Sequence, residues 1–169
     1  MRIDDISAKV FGLLVSWLYS QEIQDGEGGL PTCRMLVDLW ILADRFMIPT
    51  LQNQTIEKLN DARLAGKVFT SDIPRRIYAN TSEDSALRAY LVDMCIEGTT
   101  AVLRDTDPPQ FLVDVINGMR IRLDAKSKNG GSDKQLRKWT PSKKWMKVYH
   151  VDENVGRRGH SVFASVEKM

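Results

Sequence analysis

Leu36-Val37-Asp38-Leu39-Trp40-Ile41-Leu42-Ala43-Asp44-Arg45-Phe46-Met47-Ile48-Pro49-Thr50-Leu51-Gln52-Asn53 is the stretch that decides the fold of this chain. Leu36, Leu39, Trp40, Leu42, Ala43 and Phe46, preceded by Met35, recur at the spacing of one helix face. Pro49 crowds residue 48 out of helical geometry, so the pattern predicts a helix that stops at Ile48 and a second that begins at the proline. Leu51, Ile56 and Leu59 carry the apolar stripe into that second helix. Pro31-Thr32 marks the start of the first, because proline loses nothing in an opening turn.

Working outward, the upstream stretch Val10-Phe11-Gly12-Leu13-Leu14-Val15-Ser16-Trp17-Leu18-Tyr19 reads as another amphipathic helix, with Ser7 placed to cap its free amides. Val10, Phe11, Leu14, Val15, Trp17 and Leu18 form one broad stripe on it. Gly26-Glu27-Gly28-Gly29 reads as a flexible connection. Downstream, Ser71-Asp72-Ile73-Pro74 opens a short helix with Ile77 and Tyr78. Ser82 is placed to cap a helix striped by Leu87, Tyr90, Leu91 and Met94 and ended by Gly98. Asp107-Pro108-Pro109 opens a last helix with Phe111, Leu112, Val115, Ile116 and Met119 on one face. Met1-Arg2-Ile3 and the far C-terminus are the only strand candidates. The expected fold class is mainly α.

The chain has 169 residues, 43% hydrophobic and 27% charged, which is ordinary globular composition. Its charge is unevenly spread. Residues 1–121 hold 12 Lys+Arg against 17 Asp+Glu, and residues 122–169 hold 12 against 5, so an acidic body carries a basic tail. From Lys126 the stretch Lys126-Ser127-Lys128-Asn129-Gly130-Gly131-Ser132-Asp133 is polar and unpatterned, and reads as a linker into a poorly ordered tail. Two cysteines, Cys33 and Cys95, give no disulfide framework, and charge at residues 2–5 stands where a signal peptide needs apolar residues. The expectation is a soluble intracellular chain, cytoplasmic or nuclear, with no membrane partner.

Candidate chemistry is sparse. Cys33, Cys95, His150 and His160 are a nominal zinc inventory, but zinc sites use closely spaced pairs and these cysteines stand far apart on separate helices. A cysteine hydrolase needs a thiolate held against an imidazole, and His150 falls in the tail. Asp38, Asp44, Glu57, Asp93 and Asp114 lie within helices without the Glu-x-x-His pairs of metal-binding bundles, and read as solvated faces with i,i+4 partners. The glycines form no phosphate loop. No cofactor, no metal and no enzymatic activity are expected.

Phe11, Trp17, Leu18 and Tyr19, then Leu39, Ala43 and Phe46, then Pro49, Leu51 and Asn53 occur in an order that resembles the second half of a BTB/POZ domain, in the form common in fungal proteins. A segment like Ile73-Pro74-Arg75-Arg76-Ile77-Tyr78-Ala79-Asn80-Thr81, a helix like Leu87-Arg88-Ala89-Tyr90-Leu91-Val92-Asp93 and a Pro108-Pro109-Gln110-Phe111-Leu112 element follow in the same order as in those proteins. The resemblance covers residues 1–120. It implies a BTB/POZ-like region over 1–65, a helical extension over 66–125 and a basic tail over 126–169, with the ten residues just named read as core packing. It implies a non-catalytic protein–protein interaction module, an adaptor or scaffold, and a cullin-type ubiquitin ligase as one partner. The family's opening half of strands and helices has no counterpart here, so the chain reads as truncated or repacked. Side chains such as Phe11 or Trp17 would then be left uncovered, at roughly 1.5–3 kcal/mol for each large group.

The tail offers the alternative. Lys134, Arg137, Lys138, Lys143, Lys144 and Lys147 interleave with Trp139 and Trp145. Such a segment tracks phosphates while tryptophans stack on bases, acts as a nuclear import signal, or simply solubilises the chain. Nucleic acid is the partner the first of these implies.

Overall fold

A computed structural model describes residues 7–26, 28–67, 69–97, 103–128 and 149–152. These hold six helices and no strand: α1 Ala8–Ser20, α2 Cys33–Arg45, α3 Pro49–Leu64, α4 Ile73–Asn80, α5 Ala86–Ile96 and α6 Pro109–Lys128. The fold is mainly α, as the apolar periodicity predicts. Among the described residues no helix is long and apolar enough to cross a membrane.

Local chemistry sets the helix starts. Ser7 Oγ accepts the Val10 amide at 3.3 Å and Thr32 Oγ1 accepts the Met35 amide at 3.3 Å, each from an extended backbone. Pro49 and Pro74 sit in the first turns of α3 and α4. At α5 the cap is Ser85, whose Oγ accepts from Leu87, and not the expected Ser82. The Ser82 carbonyl is taken by the Ser85 amide in a turn, which delays the helix by one turn.

α2 and α3 end alike. In each, the residue after the cap adopts a left-handed conformation, and the next amide reaches back to the carbonyl five residues earlier: Ile48 to Ala43, and Lys67 to Ala62. The left-handed residue is Gly66 after α3 but Met47, at φ 55°, after α2. This turn between α2 and α3 folds the two helices against each other.

α2 is the centre. Leu36, Val37, Leu39, Trp40, Ile41, Leu42 and Ala43 are all buried, so this helix is apolar around almost its whole circumference. It packs against α1, α3 and α4, while α4 and α5 pack with α6. One continuous buried cluster runs from Val10 on α1 to Val115 on α6 and includes Tyr149. The boundary at 65/66 falls in the turn closing α3, and the cluster continues across it. α5 and α6 cross closely at Gly118, where an added Cβ would stand 2.6 Å from Ile96 Cδ1.

Several expected core positions lie elsewhere. Trp17, Leu39, Ala43, Leu51 and Asn53 are buried, and Pro49 is partly buried. Phe11, Leu18, Tyr19 and Phe46 are exposed. On α1 the broad stripe splits: Val10, Leu13, Leu14 and Trp17 face inward, while Phe11, Val15 and Leu18 stand one position on, about 100° around the helix. Trp17, which a missing layer would uncover, is instead buried and donates Nε1–H to Gln54 Oε1 on α3 at 2.7 Å. Phe46 is exposed because it is the cap of α2, where the chain leaves the helical path. The α6 face divides in the same way, with Phe111 and Val115 buried but Ile116 and Met119 exposed.

The tail expectation covered 126–169. Of that range, residues 126–128 continue α6, so the pattern does not break at Lys126, and residues 149–152 lie against α3 and α5. Met1-Arg2-Ile3, Gly98, residues 129–133, Trp139, Trp145 and His160 lie outside the described residues.

Candidate functional site

Two surfaces stand out. The first is the outer face of α1. Phe11 (45% exposed), Val15 (37%) and Leu18 (55%) lie at i, i+4 and i+7, with Tyr19 (89%) beside them. They form a line of large apolar groups on a helix whose opposite stripe is already buried. Gly12 sits in this face with no atom within 4 Å of where its Cβ would be, so the backbone there is open.

The second is a cradle formed by α3, α5 and α6 around residues 149–152. Asn53 on α3 is buried and uses both polar atoms on one residue. Its Nδ2 donates to the Val151 carbonyl at 2.9 Å, and its Oδ1 accepts the Val151 amide at 2.6 Å. Tyr149 is buried, its ring edge-on to Tyr90 of α5 with centroids 5.6 Å apart, and its hydroxyl donates to the Asp93 carboxylate. His150 Nε2 stands 3.2 Å from Glu57 Oε1 on α3, an ion pair when the imidazole is protonated. Arg122 on α6 holds the wall: it donates to Asp93 Oδ1 at 2.8 Å and also pairs with Glu97.

The electrostatics of the cradle follow from its burial. Burial raises the Asp93 carboxyl above its ordinary value, against the opposing pull of the Tyr149 hydrogen bond and of Arg122. Burial, and then the facing Asp93 carboxylate, push the Tyr149 phenol well above its ordinary range. Tyr149 is therefore held as a hydrogen-bond donor and Asp93 as its acceptor.

The carboxylates read from sequence as solvated faces do more than that. Asp38 pairs with Arg34 at i,i+4, but also with Arg76 across to α4. Asp114 accepts from Tyr78 of α4 at 2.6 Å as well as from Gln110. Asp44 accepts from Gln52 at 3.0 Å across the α2–α3 turn. These groups tie helices together: Asp38 and Asp114 are half-buried where two helices meet, and Asp44, though exposed, bridges the α2–α3 turn.

Cys33 and Cys95 are buried, and burial raises both thiols, which disfavours the reactive thiolate. Among the described residues no three His, Cys, Asp or Glu side chains gather where they could hold a metal ion. Lys134, Arg137, Lys138, Lys143, Lys144 and Lys147 lie outside the described residues.

Sequence reasoning placed Asn53 in the core but missed what it holds, and it left Tyr149 and Val151 in a basic, poorly ordered tail. The one local signal was the cluster Val148-Tyr149-His150-Val151, an apolar group of residues closing the lysine-rich stretch. No protein-family model, no curated protein and no solved structure matches this chain. The two surfaces therefore stand on their own geometry.

Proposed function

We propose that this protein is a non-catalytic protein–protein interaction module, an adaptor or scaffold, and that the outer face of α1 is its docking surface. The observation that carries this is the exposed line of Phe11, Val15 and Leu18 beside Tyr19. Isolated exposed apolar side chains are ordinary, but a contiguous helical line of them is typical of a surface that a partner covers. An amphipathic helix presented this way suits a groove or another helix, read through i, i+4 and i+7 anchors. The BTB/POZ resemblance points the same way, since the helix resembling residues 11–19 packs against further protein layers in that family. A cullin-type ubiquitin ligase is the specific client it suggests.

The test is affinity capture with quantitative mass spectrometry, comparing the wild-type chain with Phe11→Glu/Leu18→Glu. Both positions are exposed, so the double variant should melt within a few degrees of wild type. The expected result is a set of proteins depleted tenfold or more from the variant's capture. Identical captures from two equally folded proteins would overturn the reading. Direct titration against a purified cullin N-terminal domain checks the narrower assignment.

A further inference from the structure

Residues 149–152 are held as a bound peptide is held. The receiving groups come from three helices that the buried core already fixes, and each reads a different feature. Asn53 reads one residue's backbone through both its amide and its carbonyl. Asp93, braced by Arg122, reads a phenolic hydroxyl two residues earlier, while Tyr90 packs edge-on against the ring. Glu57 faces the side chain between them. Pairing a side-chain amide with both backbone groups of one residue fixes the position of that residue in the cradle.

We infer that this α3–α5 cradle is a peptide-binding site whose resident ligand is the chain's own Tyr149-His150-Val151, and that it accepts in trans a segment with tyrosine two residues before an aliphatic residue. The inference does not rest on the α1 reading, since it uses other residues on other helices. The chemistry sets the specificity. Phenylalanine at the first position leaves the Asp93 oxygen without its donor. Phosphotyrosine brings a phosphate of about −1.5 to −2 charge against Asp93 and Glu97, and is excluded. Proline at the third position lacks the amide that Asn53 accepts. A cation at the middle position suits Glu57.

The chain's own segment competes with any added peptide, because the two belong to one molecule and the resident segment never diffuses away. The experiment uses the full chain and a fluorescent peptide of residues 147–153, Lys-Val-Tyr-His-Val-Asp-Glu, followed by polarisation. Tyr149→Ala frees the cradle, so it should bind this peptide at least tenfold more tightly than wild type. In that background the phenylalanine peptide should bind about tenfold more weakly, the phosphotyrosine peptide not at all, and Asn53→Ala should weaken binding roughly ten- to thirtyfold. Val151→Pro provides an independent release that keeps the tyrosine. If Tyr149→Ala is poorly folded, the peptide should raise its melting temperature. The inference is overturned if both release variants bind no better than wild type, if the phosphotyrosine peptide binds as well as the tyrosine peptide, or if the peptide leaves an unstable variant's melting unchanged.

Discussion

The side chain of Asn53 stands in for a neighbouring strand: it donates to the Val151 carbonyl at 2.9 Å and accepts the Val151 amide at 2.6 Å, joining α3 to a residue 98 positions away. Asn53→Ala removes both bonds, worth about 1 kcal/mol each. The loss should appear locally: hydrogen exchange at the Val151 amide accelerates roughly ten- to thirtyfold, while α2 amides are unchanged. An unaltered Val151 rate would show that the two bonds contribute nothing.

The α2–α3 turn carries a correctable strain. Met47 occupies at φ 55° the position that Gly66 fills after α3, and a non-glycine residue there costs roughly 1–2 kcal/mol. Glycine's greater freedom in the unfolded chain offsets part of that gain. Met47 is exposed, so little packing is lost. Met47→Gly should stabilise the fold by about 0.5–1 kcal/mol, read as an increased urea midpoint at constant slope.

Gly12→Ala should also stabilise, by about 0.5–1 kcal/mol, for the opposite reason. Gly12 lies inside α1, and its Cβ would meet nothing within 4 Å, so alanine gains helix propensity without a clash. Gly118→Ala lacks this freedom because Ile96 Cδ1 must move aside. Thermal melts of the two variants should separate, with Gly12→Ala the higher.

Asp93 gives the cradle a pH dependence of definite sign. Its carboxyl is raised in the folded state by burial. Between the unfolded value near 3.9 and that raised value, the folded protein binds more protons than the unfolded one. Stability therefore falls as pH rises through this window. Asp93→Asn removes the contribution, so wild-type stability minus variant stability should decline from pH 3.5 to 6 in urea titrations. A difference that grows with pH would mean that Arg122 outweighs burial.

Arg88 is a buried cation, 8% exposed, that closes the α4–α5 corner. It donates to the Tyr78 carbonyl at 3.0 Å, to Thr81 Oγ1 at 3.0 Å and to the Thr81 carbonyl, and it lies 4.3 Å above the Tyr78 ring. Arg88→Met leaves these acceptors unpaired and should cost about 2–4 kcal/mol. Arg88→Lys should recover only part of it, since one ammonium cannot span the same acceptors. Equilibrium unfolding of both variants checks the order.

What was legible in the sequence was local. Thr32 and Pro49 fix helix starts through chemistry within a few residues, so α2 and α3 were readable directly. The two halves of the α1 stripe were not separable, because Val10-Leu14-Trp17 and Phe11-Val15-Leu18 are equally apolar, and only the position of α2 decides which is buried. Ser82 and Ser85 are both competent caps, and a turn between them settles the choice. The cradle was invisible for another reason. The Tyr149–Asp93 and Asn53–Val151 contacts span 56 and 98 positions, and no short-range pattern encodes such pairings.

The order of synthesis gives the docked segment one more consequence. Synthesis runs from α3 and α5 toward Tyr149, so Asn53 and Asp93 leave the ribosome ahead of the residues they hold. At about 5–20 residues per second, the 56 positions from Asp93 to Tyr149 take on the order of seconds to make. The docked segment is therefore among the last parts of the chain to reach its place.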